Sequence, residues 1–330
     1  MNNTLRWGIL GCGNVTEVKS GPAYQQTPGF RLQAVMRRDA AKAADYAQRH
    51  QVPVWYSDAD ALINDPQVDA VYIATPPDSH LFYALKVAAV GKICCVEKPM
   101  ALNTQECAEM NAAFEAAGVP LFVAYYRRSL PRFLQVKQWL DSGCIGTVRH
   151  AQWNFSRSPT PQDLSGAANW RTDPAQAGGG YFVDLASHGL DLLMFLLGDM
   201  QRVQGQALNQ QGLYAAEDAV TAQWCFAPDA QGHVATGAGF WHFGTDGRRD
   251  RVEIIGSRGH IRFAVFQDDP LQLCIDGQTE QHAIAHPPHI QHYHVANIAA
   301  HLRGELQHPS TGVSALRATA VMEQILRGRA

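Results

Sequence analysis

The chain has 330 residues, 46% hydrophobic and 17% charged, with 27 basic against 30 acidic side chains for a formal charge of −3. That length suggests about two domains, each able to bury a core, and the apolar fraction excludes disorder as the dominant state. So even a charge balance excludes the basic footprint that nucleic-acid binding needs.

The opening Met-Asn-Asn-Thr-Leu-Arg-Trp lacks a basic region followed by an apolar stretch, so no secretory signal is expected. No apolar run reaches the ~18 residues of a membrane helix, since Lys86 and Lys92 interrupt even residues 84–96. The seven cysteines are scattered without any C-x-x-C pair. Adjacent Cys94 and Cys95 on a strand point to opposite faces and suit neither a mutual disulfide nor a shared metal. A reduced, cytoplasmic setting is expected.

Along the first 125 residues, short β-like runs alternate with helical stretches, which predicts an α/β domain with a parallel, doubly wound sheet. Strands are predicted at Leu5–Leu10, Phe30–Met36, Val54–Tyr56, 70–74, Ile93–Val96 and 121–124. Helices are predicted at 15–26, 39–50, 58–64, 80–90 and Thr104–Ala117. From Ser129 the texture changes. A helix at 134–141, a strand at 148–155, a polar Pro/Gly-rich stretch at 156–180 and an apolar core helix at 181–197 follow. Strand-like runs then recur about every ten residues, near 202–208, 218–226, 233–241, 252–256, 260–264 and 272–275, predicting a largely antiparallel sheet. Arg248-Arg249-Asp250-Arg251 reads as a solvated hairpin turn. Helices at 290–304 and 313–327 finish the chain. The predicted division is 1–125 and 126–330.

Gly11-Cys12-Gly13-Asn14-Val15 lies between the first strand and the first helix. There, one glycine permits a tight turn, the next admits a pyrophosphate close to the backbone, and the helix N-terminus offers its positive end. Thr16 stands where a third Gly or Ala is usual. After the second strand, where enzymes that use NAD place an acidic residue for the ribose 2′-OH, the chain has Arg37-Arg38. Two arginines suit the 2′-phosphate of NADP, whereas Asp39 reads as the cap of the next helix. NADP(H) is therefore expected in preference to NAD(H).

Glu97-Lys98-Pro99 follows the fifth strand, placing Lys98 at its carboxyl end, where open α/β sheets bind ligands. After Gly178-Gly179-Gly180, Asp184 and His188 stand four apart and share one face of a helix. Together with Ala74-Thr75-Pro76-Pro77 and His80, Tyr126-Arg127-Arg128 before Pro131, and Trp170-Arg171, these strings resemble the glucose–fructose oxidoreductase/inositol dehydrogenase family (Gfo/Idh/MocA) over essentially the whole chain.

That resemblance implies an N-terminal Rossmann domain and a C-terminal α/β domain with an open, mostly antiparallel sheet. It implies a nicotinamide in the cleft between them, a sugar, cyclitol or similar ring as substrate, and a homodimer or homotetramer formed through the second sheet. Gly11, Gly13, Asn14, Val15, Arg37, Arg38, Thr75, Pro76, His80, Glu97 and Lys98 are the expected cofactor contacts. His188 is the expected general acid/base, since an unperturbed imidazole has a pKa of about 6.5. Lys98 is expected to hold the reacting oxygen or the nicotinamide ribose, and Asp184 to accept a substrate hydroxyl or orient His188. Tyr126, Arg128, Trp153 and Trp170 are candidates for the substrate wall.

His286, His289, His292 and His294 invite a zinc reading. Pro287-Pro288 sets the first outside the helix, and neither a carboxylate nor a cysteine completes the set, so no metal is expected. Two other functions compete with a sugar oxidoreductase. One is a related dehydrogenase of aromatic dihydrodiols. The other is a sensor that binds dinucleotide without turnover and would be expected to lose Lys98 or His188.

Overall fold

The structure, a computed structural model, describes residues 4–328. The first sheet comprises β1 (Leu5–Leu10), β2 (Phe30–Met36), β3 (Val54–Tyr56), β4 (Ala70–Ile73), β5 (Ile93–Val96) and β6 (Leu121–Val123). Their order is β3-β2-β1-β4-β5-β6, with every neighbouring pair parallel. Strand order reverses between β1 and β4, which is the switch point where such sheets bind ligands. All four residues of β4 are buried, as a strand covered on both faces requires.

Local signals set most boundaries. The Asp39 side chain accepts from the Lys42 amide and caps helix Ala40–Arg49, as expected. Asn103 caps Thr104–Ala117 in the same way. The predicted helix at 15–26 is instead two short helices, Asn14–Val18 and Gly21–Gln26. Pro22 has no N–H to continue the first but suits the opening turn of the second.

The chain forms two compact units, Met1–Ser129 with Pro287–Leu316 and Leu130–His286 with Arg317–Ala330. The segment 287–316, which the sequence reading places in the second domain, thus packs with the first. Its Val295 and Ile298 are fully buried in a core with Trp7, Tyr24, Tyr72 and Phe122, each such side chain contributing about 1.5–3 kcal/mol of burial. Ser310 Oγ donates to the Val123 carbonyl at 2.7 Å, and Thr311 bridges to Phe122 at the sheet edge. Helical periodicity shows that this segment has an apolar face but not which core receives it.

Burial holds three histidines of this unit below their ordinary range: His80, His294 and His308, the last near 4. The neutral folded forms take up fewer protons than the unfolded chain below about pH 6.5, so stability is full above that pH and falls as pH drops towards the folded values. His308 alone should cost about 2 kcal/mol by pH 5. Urea unfolding is expected to show a midpoint that declines steadily from pH 7 to 5, before most carboxylates titrate. A flat midpoint across that window would refute the burial of neutral imidazoles.

In the second unit, β7 (Val148–Ser156), β8 (Met200–Leu208), β9 (Ala219–Phe226), β10 (Thr236–His242), β11 (Arg249–Gly256), β12 (Gly259–Phe263), β13 (Leu271–Ile275) and β14 (Gln278–His282) form one sheet. Its order is β14-β13-β12-β11-β7-β10-β9-β8, and only β7–β10 is parallel among its paired strands. Two expectations need correction. Residues 249–251 are not a hairpin turn but open β11, because Asp250 accepts from Trp153 Nε1 and the Phe266 amide inside the unit. Strand β14 is missed because Gln-Thr-Glu-Gln-His has no apolar alternation to reveal it.

The apolar helix begins irregularly, with a π-helical turn at Phe182–Ala186 before the α-helix Ser187–Leu197. Among the described residues, Pro174–Leu197 has the length and composition of a membrane span, which the sequence reading did not find. Yet 78% of its most apolar window is buried, as befits a core helix. It packs on Trp153, which is wholly buried and meets Trp241 edge-on at 5.5 Å. Trp153 is therefore core and cannot line a substrate wall.

At Gly189 the helix comes so close that a Cβ would lie 2.3 Å from the Trp153 ring. Gly189→Ala is expected to cost about 1–3 kcal/mol, because neither a helix nor a buried indole can retreat cheaply. Thermal unfolding checks this, and an unchanged transition would contradict the close packing.

Candidate active site

The glycine turn leaves room for a phosphate. Gly11 has φ +87°, and a Cβ there would lie 2.9 Å from Thr75 Cγ2 and 3.0 Å from the Ala74 backbone. Only glycine joins β1 to the end of β4 in this way. At Gly13 a Cβ would meet nothing nearer than the Gly11 carbonyl at 3.8 Å, so the turn keeps an open face. Thr16 earns its position by geometry: its hydroxyl accepts from the Gly13 amide at 3.0 Å and donates to the Gly13 carbonyl at 2.9 Å. Asn14 and Val15 open the helix that follows, so their amides have no partner within it. Amides so placed are able to donate to a pyrophosphate, and the residues fit a dinucleotide.

Beside the turn, Arg37 Nη1 donates to the Cys12 carbonyl at 3.3 Å, and Arg38 is exposed. Burial pushes the Cys12 thiol up to about 11 despite the opposing Arg37 charge, so it stays protonated. Thr75 and Pro76 remain partly exposed after β4. His80 has no exposed surface. Its Nδ1 lies 3.0 Å from the Pro99 carbonyl and its Nε2 2.8 Å from the Thr75 carbonyl, tying two site loops together.

Glu97 and Lys98 follow β5, and the Lys98–Pro99 bond is cis. Lys98 is partly exposed, whereas Glu97 is buried. The Glu97 carboxylate accepts from Tyr72 Oη at 2.5 Å, from Gln291 Nε2 at 2.7 Å and from the Lys98 amide at 3.1 Å. Gln291 carries no motif and lies 194 positions away in the returning segment, so sequence reasoning gave no signal for it. Arg128 is also buried and donates to the Pro309 carbonyl, while Tyr126 keeps part of its surface.

The second unit gathers its own set. Asp184 lies within the π-turn, so its relation to His188 is not that of a plain α-helical face. Asp184 Oδ2 is 3.3 Å from Arg171 Nε, and the Arg171 guanidinium stacks over the Trp170 ring at 4.3 Å. His188 is 5% exposed and meets Phe266 edge-on at 5.9 Å. The polar stretch carrying Trp170 is held by Tyr181, whose hydroxyl lies 2.6 Å from Asp163 and accepts from Asn169. The glycine run is fixed by Glu217, which accepts from the Gly180 amide at 2.8 Å. Arg171 and Glu217 received no role from the sequence, because each acts through a partner on another element.

Among the described residues, no three histidine, cysteine or acidic side chains are grouped to hold a metal ion. The dense histidines disperse: His289 Nδ1 lies against the Val18 carbonyl, and His294 is buried 3.6 Å from Cys95 Sγ.

A Rossmann sheet with an open glycine turn, joined to a second α/β unit, defines a nicotinamide-dinucleotide-dependent oxidoreductase. Residues 5–125 match the oxidoreductase family with an NAD-binding Rossmann fold, and residues 133–262 match the GFO/IDH/MocA C-terminal domain. The chain belongs to the Gfo/Idh/MocA family. It is 36% identical over 324 residues to an oxidoreductase of Formosa agariphila, covering 98% of both chains. It is 33% identical over 201 residues to the trans-1,2-dihydrobenzene-1,2-diol dehydrogenase of Mus musculus, covering 59% of this chain and 56% of that one. Among solved structures it resembles levoglucosan dehydrogenase in complex with NADH and levoglucosan, with TM-score 0.84 and 22% identity over 98% and 96% of the two chains, a likeness of fold.

Proposed function

We propose that this oxidoreductase uses NADP(H) and interconverts a secondary alcohol and its carbonyl on a sugar, anhydrosugar, cyclitol or similar ring. The observation that carries the reading is Lys98, partly exposed at the carboxyl end of a central Rossmann strand, on a carboxylate buried and bonded on both oxygens. Bound at the glycine turn, a nicotinamide dinucleotide supplies or accepts the hydride at ring C4. Lys98 holds the reacting oxygen with a charge-assisted hydrogen bond that strengthens as that oxygen gains charge. His188 takes the alcohol proton in oxidation and returns it in reduction. Asp184, anchored by Arg171, receives a neighbouring substrate hydroxyl, and Trp170 offers an aromatic face to ring C–H surfaces. Thr75, Pro76, Asn14 and Val15 position the dinucleotide.

Preference for NADP(H) rests on Arg37 and Arg38, which stand where a carboxylate would repel a 2′-phosphate. The double variant Arg37→Ser/Arg38→Ser is expected to weaken NADPH by ~30-fold or more in Kd while changing NADH less than threefold. Fluorescence titration with both dinucleotides checks this, and parallel losses would overturn the preference. The similarity to a dihydrodiol dehydrogenase favours a second reading, an aromatic trans-dihydrodiol as substrate. Initial rates at 340 nm with dihydrodiols against pyranoses, anhydrosugars, ketosugars and inositols separate the two. We further propose a cytoplasmic homo-oligomer, consistent with cysteines that form no disulfide and with a sheet that leaves Gln223 and Phe240 exposed. Light scattering that gave a 36 kDa particle would exclude the oligomer.

A further inference from the structure

Gln291 occupies the N-cap position of helix His292–Leu302 yet makes no capping bond with its side chain. Only 1% of it is exposed, and its Nε2 is spent on Glu97 Oε1 at 2.7 Å. Among the described residues its Oε1 has no hydrogen-bond partner. The opposite amide orientation would set that oxygen against the carboxylate, so the arrangement is fixed by charge. A glutamine that forgoes the cap and leaves one buried polar atom unmatched is a costly way to fill space. Tyr72 adds a second donor to the same Glu97 oxygen, and burial raises its phenol well above the ordinary value, keeping it a donor. The other oxygen accepts from the Lys98 amide at 3.1 Å.

We infer that Gln291 and Tyr72 are positioning residues for Lys98, acting through Glu97. The inference rests on the proposed role of Lys98. With both donors present, the buried carboxylate has one orientation and fixes the backbone that carries the amine. Without them it must turn to find other partners, and it releases the Lys98 N–H. The segment 287–316 thereby completes the site from inside the first unit, at a point no motif marks.

Two readouts test this in the full-length protein. The chain has six lysines, so [15N]lysine labelling yields few amide signals, and the one lost in Lys98→Arg is Lys98. In Gln291→Leu, and more mildly in Tyr72→Phe, exchange of the Lys98 amide should accelerate about tenfold or more. On the best substrate of the 340 nm panel, kcat should fall about tenfold with KM within threefold, the signature of lost transition-state interaction. Asn297→Ala removes a hydrogen bond to Ser129 in the same segment without touching Glu97, and should leave both readouts within about twofold. Unchanged exchange in Gln291→Leu and Tyr72→Phe, or faster exchange with unchanged kcat, or equal losses in Asn297→Ala, overturns the inference. Lys98→Ala is measured alongside. If it retains kcat, the role given to Lys98 fails, and the exchange readout alone then decides whether Gln291 and Tyr72 hold this backbone.

Discussion

Lys98→Ala is expected to lower kcat by about a thousandfold or more, equivalent to ~4 kcal/mol of transition-state stabilisation, while dinucleotide affinity changes little. The ammonium has its largest effect on an oxygen that gains negative charge during the reaction, so its loss belongs in kcat rather than in binding. Lys98→Arg should recover only part of the activity, because a planar guanidinium places its donors differently from a compact ammonium. Steady-state kinetics on both variants decide this. A Lys98→Ala enzyme with wild-type kcat would remove Lys98 from the chemistry.

Gly11→Val should abolish dinucleotide binding. The substitution combines a β-branched residue at φ +87° with a Cβ at 2.9 Å from Thr75 and 3.0 Å from backbone. The backbone must leave the left-handed region, which costs such a residue about 1–3 kcal/mol or more, and must also back away from the end of β4. The turn then cannot offer its open face to a pyrophosphate. Titration by isothermal calorimetry is expected to show Kd weakened more than about a hundredfold for both NADPH and NADH. Retained micromolar binding in a folded Gly11→Val protein would show that the dinucleotide sits elsewhere.

Much of the first unit is legible in the sequence, because each parallel strand is a short apolar run bounded by its own turn signals. Phe30–Met36, Val54–Tyr56 and Ile93–Val96 agree to the residue with the strands observed. Asp39 shows the same legibility in a cap, where one side chain and one amide decide a boundary. The second unit was harder to read. Its antiparallel pairing hid β14, an all-polar edge strand, and its one parallel pair, β7–β10, joins residues that no local pattern couples. The π-turn around Asp184 has no sequence signal, because Phe-Val-Asp-Leu-Ala reads as ordinary helix.

The candidate site divides in the same way. Gly11, Arg37 and Lys98 are legible as candidates by their place at strand ends, since a doubly wound sheet puts its ligand there. His80, expected as a ligand contact, is fully buried and braces Thr75 against Pro99. Gln291 and Glu217 leave no sequence signal, because a hydrogen bond across 194 or 37 positions has no periodicity, and Arg171 is legible only as part of the Trp170-Arg171 string. The residues proposed to touch a ligand are marked by motif; those that brace them are marked by the fold.

The central claim is hydride transfer at Lys98 and His188 to or from a ring carbon bearing oxygen. Its most direct test is the change in absorbance at 340 nm when wild-type, Lys98→Ala and His188→Ala proteins meet NADP⁺ or NADPH with pyranoses, anhydrosugars, ketosugars, inositols and dihydrodiols. The account predicts that the wild-type enzyme turns over at least one ring substrate, faster with the phosphorylated dinucleotide, and that kcat falls about a thousandfold or more in Lys98→Ala and about a hundredfold or more in His188→Ala while both still bind dinucleotide. Tight dinucleotide binding by the wild-type protein with no turnover across the panel, or turnover that survives in both variants, would contradict it.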